Sequence, residues 1–180
     1  KNDPVRQVTE HIEDSFGGIG TLYIVFESDR EGTFQKPEVI YTLDEIQEEI
    51  GKQENVGYTM SLADYVKMLF YTMRGRDREY YTIPQNDLFV ERLMRMIASE
   101  GSEDDRMLSN FINEDFSTAC MHVRLADSNT RKLKRLLAEI EPVLEDKVPE
   151  EINVRYAGDY IRLRNGEIIV RSQIISLLVT

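Results

Sequence analysis

Apolar positions repeat with two different periods along the chain, and the alternation between periods predicts the elements. TLYIVFES, Thr21 to Ser28, is apolar on both faces and rich in β-formers, which predicts a central strand. Lys36-Pro37 then opens PEVIYTLDEIQEEIGKQ. There Val39, Ile40, Leu43, Ile46 and Ile50 form one helical stripe, and Asp44, Glu45, Glu48 and Glu49 stay wet. NVGYTMS predicts a short strand containing a glycine. FSTACMHVRL, Phe116 to Leu125, alternates cleanly and puts Ala119, Met121, Val123 and Leu125 on one face. A long helix follows, capped by Ser128, with Leu133, Leu136, Leu137 and Ile140 as its stripe. Pro142 falls inside that pattern and should kink or shorten it. INVRYAG then predicts a strand with Ile152, Val154 and Tyr156 on one side, and a last helix starts at Asp159. Asp3-Pro4 is an N-cap followed by proline, which predicts an opening helix to about Ser15 that is stopped by Gly17-Gly18.

Residues Ser61 to about Ile112 interrupt this order. Two helices are predicted there, Ser61 to Met73 and Asn86 to Ser99, with a shorter helical piece near Glu103 to Asn110. Ser61 and Asp64 have the spacing of a capping box. The expected inward stripes are Leu62, Tyr65, Val66, Leu69 and Met73 on the first helix, and Phe89, Leu93, Met96 and Ile97 on the second. With the interruption set aside, the order is strand, helix, strand, then strand, helix, strand. The expectation is therefore an α+β fold: a ferredoxin-like split βαβ (βαββαβ) sheet with a helical insertion between the second and third strands. Residues 1–60 and 113–180 would form the ferredoxin-like part, and residues 61–112 the insertion.

Composition narrows the function. The 180 residues are 41% hydrophobic and 31% charged, an ordinary globular balance with enough chain for a real core. The formal net charge of −11 repels phosphate backbones and anionic lipid headgroups, which argues against nucleic acid as the partner and leaves apolar or cationic partners open. The single cysteine excludes an intrachain disulfide and a thiolate metal cluster.

Candidate chemistry is sparse. His11 stands beside Glu10 and Glu13 on the opening helix, which suits a solvated side chain. Cys120 and His122 share a strand face, but i and i+2 positions are about 7 Å apart, too far for a nucleophile and its base to touch. A cysteine and a histidine packed under the helices is the simpler expectation. SEDDR, Ser102 to Arg106, lacks the alternating carboxylates of a calcium loop and fits a helix N-terminus. FGGIG precedes a strand rather than a helix, so it reads as a turn and not a phosphate loop. No catalytic, cofactor or metal residue is assigned. Six of the seven methionines fall between Met60 and Met107. Met68 and Tyr71 on the first insertion helix, and Val90 and Met94 on the second, lie off the expected stripes. Either the helices are buried on most sides, or these four form an adaptable apolar wall against a lipid-like ligand or another domain.

Several stretches together resemble a known family. DPVRQVTEHIEDSFGG, the PEVI helix start, NVGYTMSLADYVKMLF, IPQNDLFVERLMRM, ADSNTRK and YAGDYIRLRNGEIIVRSQIISLLVT resemble the periplasmic loops of resistance–nodulation–division (RND) exporters. The similarity is to the hydrophobe/amphiphile-exporter branch related to MMPL and sterol-sensing-domain proteins. It implies a porter domain on the periplasmic side of the membrane, more like the second loop of the parent than the first. The parent would be membrane-embedded, proton-driven and open to homodimerisation. The implied partners are a hydrophobic or amphiphilic molecule (lipid, sterol or hopanoid) and the other periplasmic loop, with Met68, Tyr71, Val90 and Met94 as the wall that would enclose the molecule together with that loop. The same resemblance makes IIVRSQIISLLVT the start of a membrane helix, against the alternative of an amphipathic helix packed on the sheet. Two rival expectations stand beside it: a free-standing ferredoxin-like ligand-binding module, and an enzyme that uses Cys120.

Overall fold

The computed structural model describes residues 20–100 and 108–166. The expected opening helix, His11, the SEDDR run and the IIVRSQIISLLVT segment lie outside the described residues. Strand β1 (Gly20–Ser28) is followed by helix α1 (Pro37–Gly51) and strand β2 (Val56–Met60). Helices α2 (Leu62–Met73) and α3 (Asp87–Glu100) come next, then β3 (Thr118–Leu125), α4 (Thr130–Lys147) and β4 (Ile152–Gly158). The four strands form one antiparallel sheet in the order β2-β3-β1-β4, with β1 and β3 central. This is the α+β, ferredoxin-like arrangement, with α2 and α3 inserted between the second and third strands.

Alternation along the strands makes the two sheet faces unlike. Leu22, Ile24 and Phe26 of β1 and Ala119, Met121, Val123 and Leu125 of β3 are buried under the helices. Burying each large side chain of this kind contributes about 1.5–3 kcal/mol. Helix α1 presents Val39, Ile40, Leu43, Ile46 and Ile50 to this layer, and α4 presents Leu133, Leu136, Leu137, Ile140 and Leu144. Tyr23, Val25, Cys120 and His122 sit on the opposite face, which corrects the expectation that the cysteine and histidine pack under the helices.

Helix α4 starts after Asn129, whose side-chain oxygen accepts from the Arg131 amide at 2.9 Å, so Asn129 and not Ser128 is its cap. Pro142 does not end the helix, which continues to Lys147. Pro142 and Ala138 are both exposed, so water can reach the carbonyl that loses its amide donor. One glycine is obligatory. Gly158 has φ 75°, and a Cβ there would meet the Thr21 carbonyl oxygen at 2.4 Å, where β4 pairs with the start of β1. Asp159 completes this corner by accepting from the Thr21 amide at 3.0 Å.

The insertion shares its interior with the sheet layer. Leu62, Ala63, Val66 and Phe70 of α2 and Val90, Leu93, Met94 and Ile97 of α3 belong to the same buried cluster as the strands and α1. The i, i+3, i+4, i+7 spacing on α3 is one helical stripe, turned about one residue from the expected one. Met73 was expected inside and is 48% exposed, because α2 has cleared its neighbours by its last turn.

Polar groups fix the insertion to α1. Ser61 and Asp64 form the expected capping box: Ser61 Oγ accepts from the Ala63 amide at 3.1 Å, and Asp64 accepts from the Ser61 amide at 3.0 Å. Asp64 also accepts from Gln47 Nε2 of α1 at 2.7 Å. Lys67 forms an ion pair with Asp44 of α1, and both side chains are largely shielded from water. Desolvation raises the Asp44 carboxyl above its ordinary range, and the Lys67 ammonium only partly opposes this.

Candidate functional site

The chain between α2 and α3 builds a cleft at the outer end of the insertion. Helix α2 ends at Arg74, whose amide donates to the Phe70 carbonyl at 3.0 Å. Gly75 and Arg76, at φ 77° and 64°, then reverse the chain. Asp77 caps a short 3₁₀ turn, Arg78–Tyr80, by accepting from the Glu79 amide at 3.1 Å. Buried Ile83 anchors the return. The Tyr41 hydroxyl of α1 donates to the Pro84 carbonyl at 2.9 Å and reaches Asp87 at 3.1 Å. Asn86 accepts from the Phe89 amide at 3.1 Å and so starts α3.

The result is a cleft of about 740 Å³ between the end of α2, the 3₁₀ turn and the start of α3. Its aromatic wall is Phe70 with Tyr80 and Phe89 set edge-on to it, each with ring centroids 5.5 Å away. The Arg74 guanidinium lies over all three rings, 5.3 Å from Phe70 and Tyr80 and 6.0 Å from Phe89. Leu88, at 74% exposure the most open large apolar side chain among the described residues, stands on the rim. Arg92 and Glu79 also line the cleft.

None of the four residues expected to form an apolar wall lines this cleft. Val90 and Met94 are 0% and 1% exposed, so they are core residues of α3 and not wall. The reason is the turned stripe, which points them at α1 and α2. Met68 and Tyr71 are half-buried, with Tyr71 edge-on to Tyr81 at 6.0 Å. The residues that form the cleft were legible only in part. The run FYTMRGRDREYY interleaves aromatics with arginines, and Leu88 lies outside any stripe, but the turn that gathers them depends on Gly75 and Arg76.

The Cys120–His122 face is built for packing. Edge-on Tyr23 and tilted Phe111 hold the His122 ring, with centroids at 4.8 and 4.9 Å, and Nε2 is 3.0 Å from the Asn110 carbonyl. Burial pushes the Cys120 thiol up to about 11, which disfavours the thiolate that nucleophilic chemistry requires. Among the described residues no group of three or more His, Cys, Asp and Glu is placed to hold a metal ion, and no helix is long and apolar enough to cross a membrane.

No protein-family model matches the chain, and a comparison with curated proteins finds no match.

Proposed function

We propose that the chain is an extracytoplasmic porter domain of a proton-driven RND-type transporter of the hydrophobe/amphiphile-exporter, MMPL-like branch. It works by shaping a passage for hydrophobic or amphiphilic molecules and not by bond chemistry. The observation that carries this reading is the architecture: a ferredoxin-like sheet whose β2–β3 connection is replaced by a helical insertion with an open aromatic cleft at its outer end. The quoted sequence resemblance supplies the family, and the cleft supplies a surface suited to a greasy substrate. The fully buried Val90 and Met94 move the contact surface from the inner side of α3 to the Phe70, Leu88 and Phe89 wall. The partner loop of the parent would close the cleft from outside.

Two measurements test the proposal. Sequencing the parent gene should find long apolar spans flanking the segment, and their absence would refute the porter reading. Leu88→Glu in the parent should lower export of an amphiphilic dye while leaving protein abundance unchanged. The rival reading, a free-standing ferredoxin-like module that binds a small ligand in the same cleft, requires a gene without such spans.

A further inference from the structure

The cleft has a charge opposite to that of the chain that bears it. The protein carries a net charge of −11, yet the charged residues lining this cleft are Arg74, Arg92 and Glu79, two cations to one anion. Among the described residues neither arginine forms an ion pair within 4.0 Å; Arg76 and Arg78 are unpaired too, so it is the shared cleft that sets Arg74 and Arg92 apart. Three rings lie within 6.0 Å of the Arg74 guanidinium carbon, and cation–π contact leaves its N–H donors without a charged partner among the described residues. Beside this charged pair the wall is apolar, and Leu88 is open to solvent with little packed on it. A compact anion would satisfy the arginines and leave Leu88 wet. A neutral hydrocarbon would cover Leu88 and bury the arginines unpaired.

We infer that the cleft holds an anionic single-chain amphiphile, its acidic head on Arg74 and Arg92 and its tail along Phe70, Leu88 and Phe89. The inference deepens the porter reading, on which it rests for its place in transport, by naming the head-group chemistry of the substrate. Arg74 supplies planar N–H donors that suit a carboxylate, on a side chain held beside three rings by cation–π contact. Glu79 opposes the head and sharpens the preference for a ligand that also brings a tail.

The test is calorimetric titration of the 180-residue chain with dodecanoate below its micelle concentration, beside dodecyl maltoside, dodecyltrimethylammonium and acetate. Dodecanoate is expected to bind at least about tenfold more tightly than dodecyltrimethylammonium, with affinity falling as salt rises, and acetate should not register. Arg92→Gln and Arg74→Gln should each weaken dodecanoate by about fivefold to tenfold. Leu88→Ser should weaken dodecanoate and dodecyl maltoside alike. Arg92 is exposed, so its variant is expected to keep the wild-type circular dichroism spectrum and separates head-group loss from misfolding. Equal binding of the cationic and anionic amphiphiles, or an Arg92→Gln variant that binds dodecanoate like the wild type, would overturn the inference. So would tighter binding of dodecyl maltoside, although that result leaves the porter reading standing. A parent gene without apolar spans would sink the porter reading and leave the measured dodecanoate affinity intact.

Discussion

The sheet layer and the insertion use the same side chains to opposite ends. In the sheet layer, burial divides by face: Leu22, Ile24 and Phe26 point under α1 and α4 along the whole of β1. In the insertion, burial divides by position along each helix. Helix α2 is buried at Leu62, Ala63, Val66 and Phe70 and emerges at Met73, while α3 begins at open Leu88 and carries its buried stripe from Val90 to Ile97. The two helices therefore enclose a core where they approach α1 and expose apolar surface where they turn. A binding cleft can form at that turn without weakening the interior, because the residues that line it are mostly not the residues that hold the fold.

The sharpest way to break this comparison is a charge at the inner side of α3. Met94→Glu should destabilise the protein by about 4 kcal/mol or more, read from chemical denaturation, because an unpaired carboxylate would sit in the shared core. A Met94→Glu protein as stable as the wild type would mean that the inner side of α3 is not part of the shared core.

Next comes the polar tie between the two regions. Lys67→Met should cost about 2 kcal/mol at neutral pH, since it leaves Asp44 shielded from water and unpaired. The sign of the pH dependence follows from the raised Asp44 carboxyl. The unfolded chain releases this proton at lower pH than the folded one, so stability declines as pH rises through the Asp44 range. Removing Lys67 raises that carboxyl further. The deficit of Lys67→Met relative to wild type should shrink toward pH 4 and grow toward neutrality, as urea titrations at several pH values would reveal.

Ser61→Ala, which removes half of the capping box, should cost about 1 kcal/mol by thermal unfolding. Leu88→Ser should fall within about 0.5 kcal/mol of wild type, the expectation for an exposed residue outside the core. The contrast between Met94 and Leu88, six positions apart on one helix, is the finest measure of where core ends and cleft begins.

Much of the sheet layer was legible in the sequence because one period dominates each element. Ala119, Met121, Val123 and Leu125 alternate with no competing apolar residue strong enough to blur the register. The capping box at Ser61 was legible for a similar reason, as a local pattern with a fixed spacing. The insertion was harder. Helix α3 offers Phe89, Val90, Leu93, Met94, Met96 and Ile97, and two neighbouring stripes fit almost equally well. Only its packing against α1 and α2 chooses between them, and that contact is not local. The cleft depends on tertiary structure even more, because Phe70 and Phe89 meet only after the chain has reversed through left-handed Gly75 and Arg76. Asn55 was illegible for the same reason. It exchanges two hydrogen bonds with the Asp127 backbone, at 3.0 and 3.1 Å, across 72 positions of sequence.

The antiparallel pairing of β2 with β3, in which Met60 faces His122, has a consequence for how this protein can change. Such neighbours ordinarily need only a tight hairpin between them, so everything from Ser61 to Ser117 is a graft at a hairpin's tip. The rootstock can keep its four-stranded pairing, and the inner stripes of α2 and α3 their packing, while the outer turn of the graft lengthens, shortens or exchanges its exposed side chains. Selection on what the cleft admits can then proceed with little disturbance to the register beneath it.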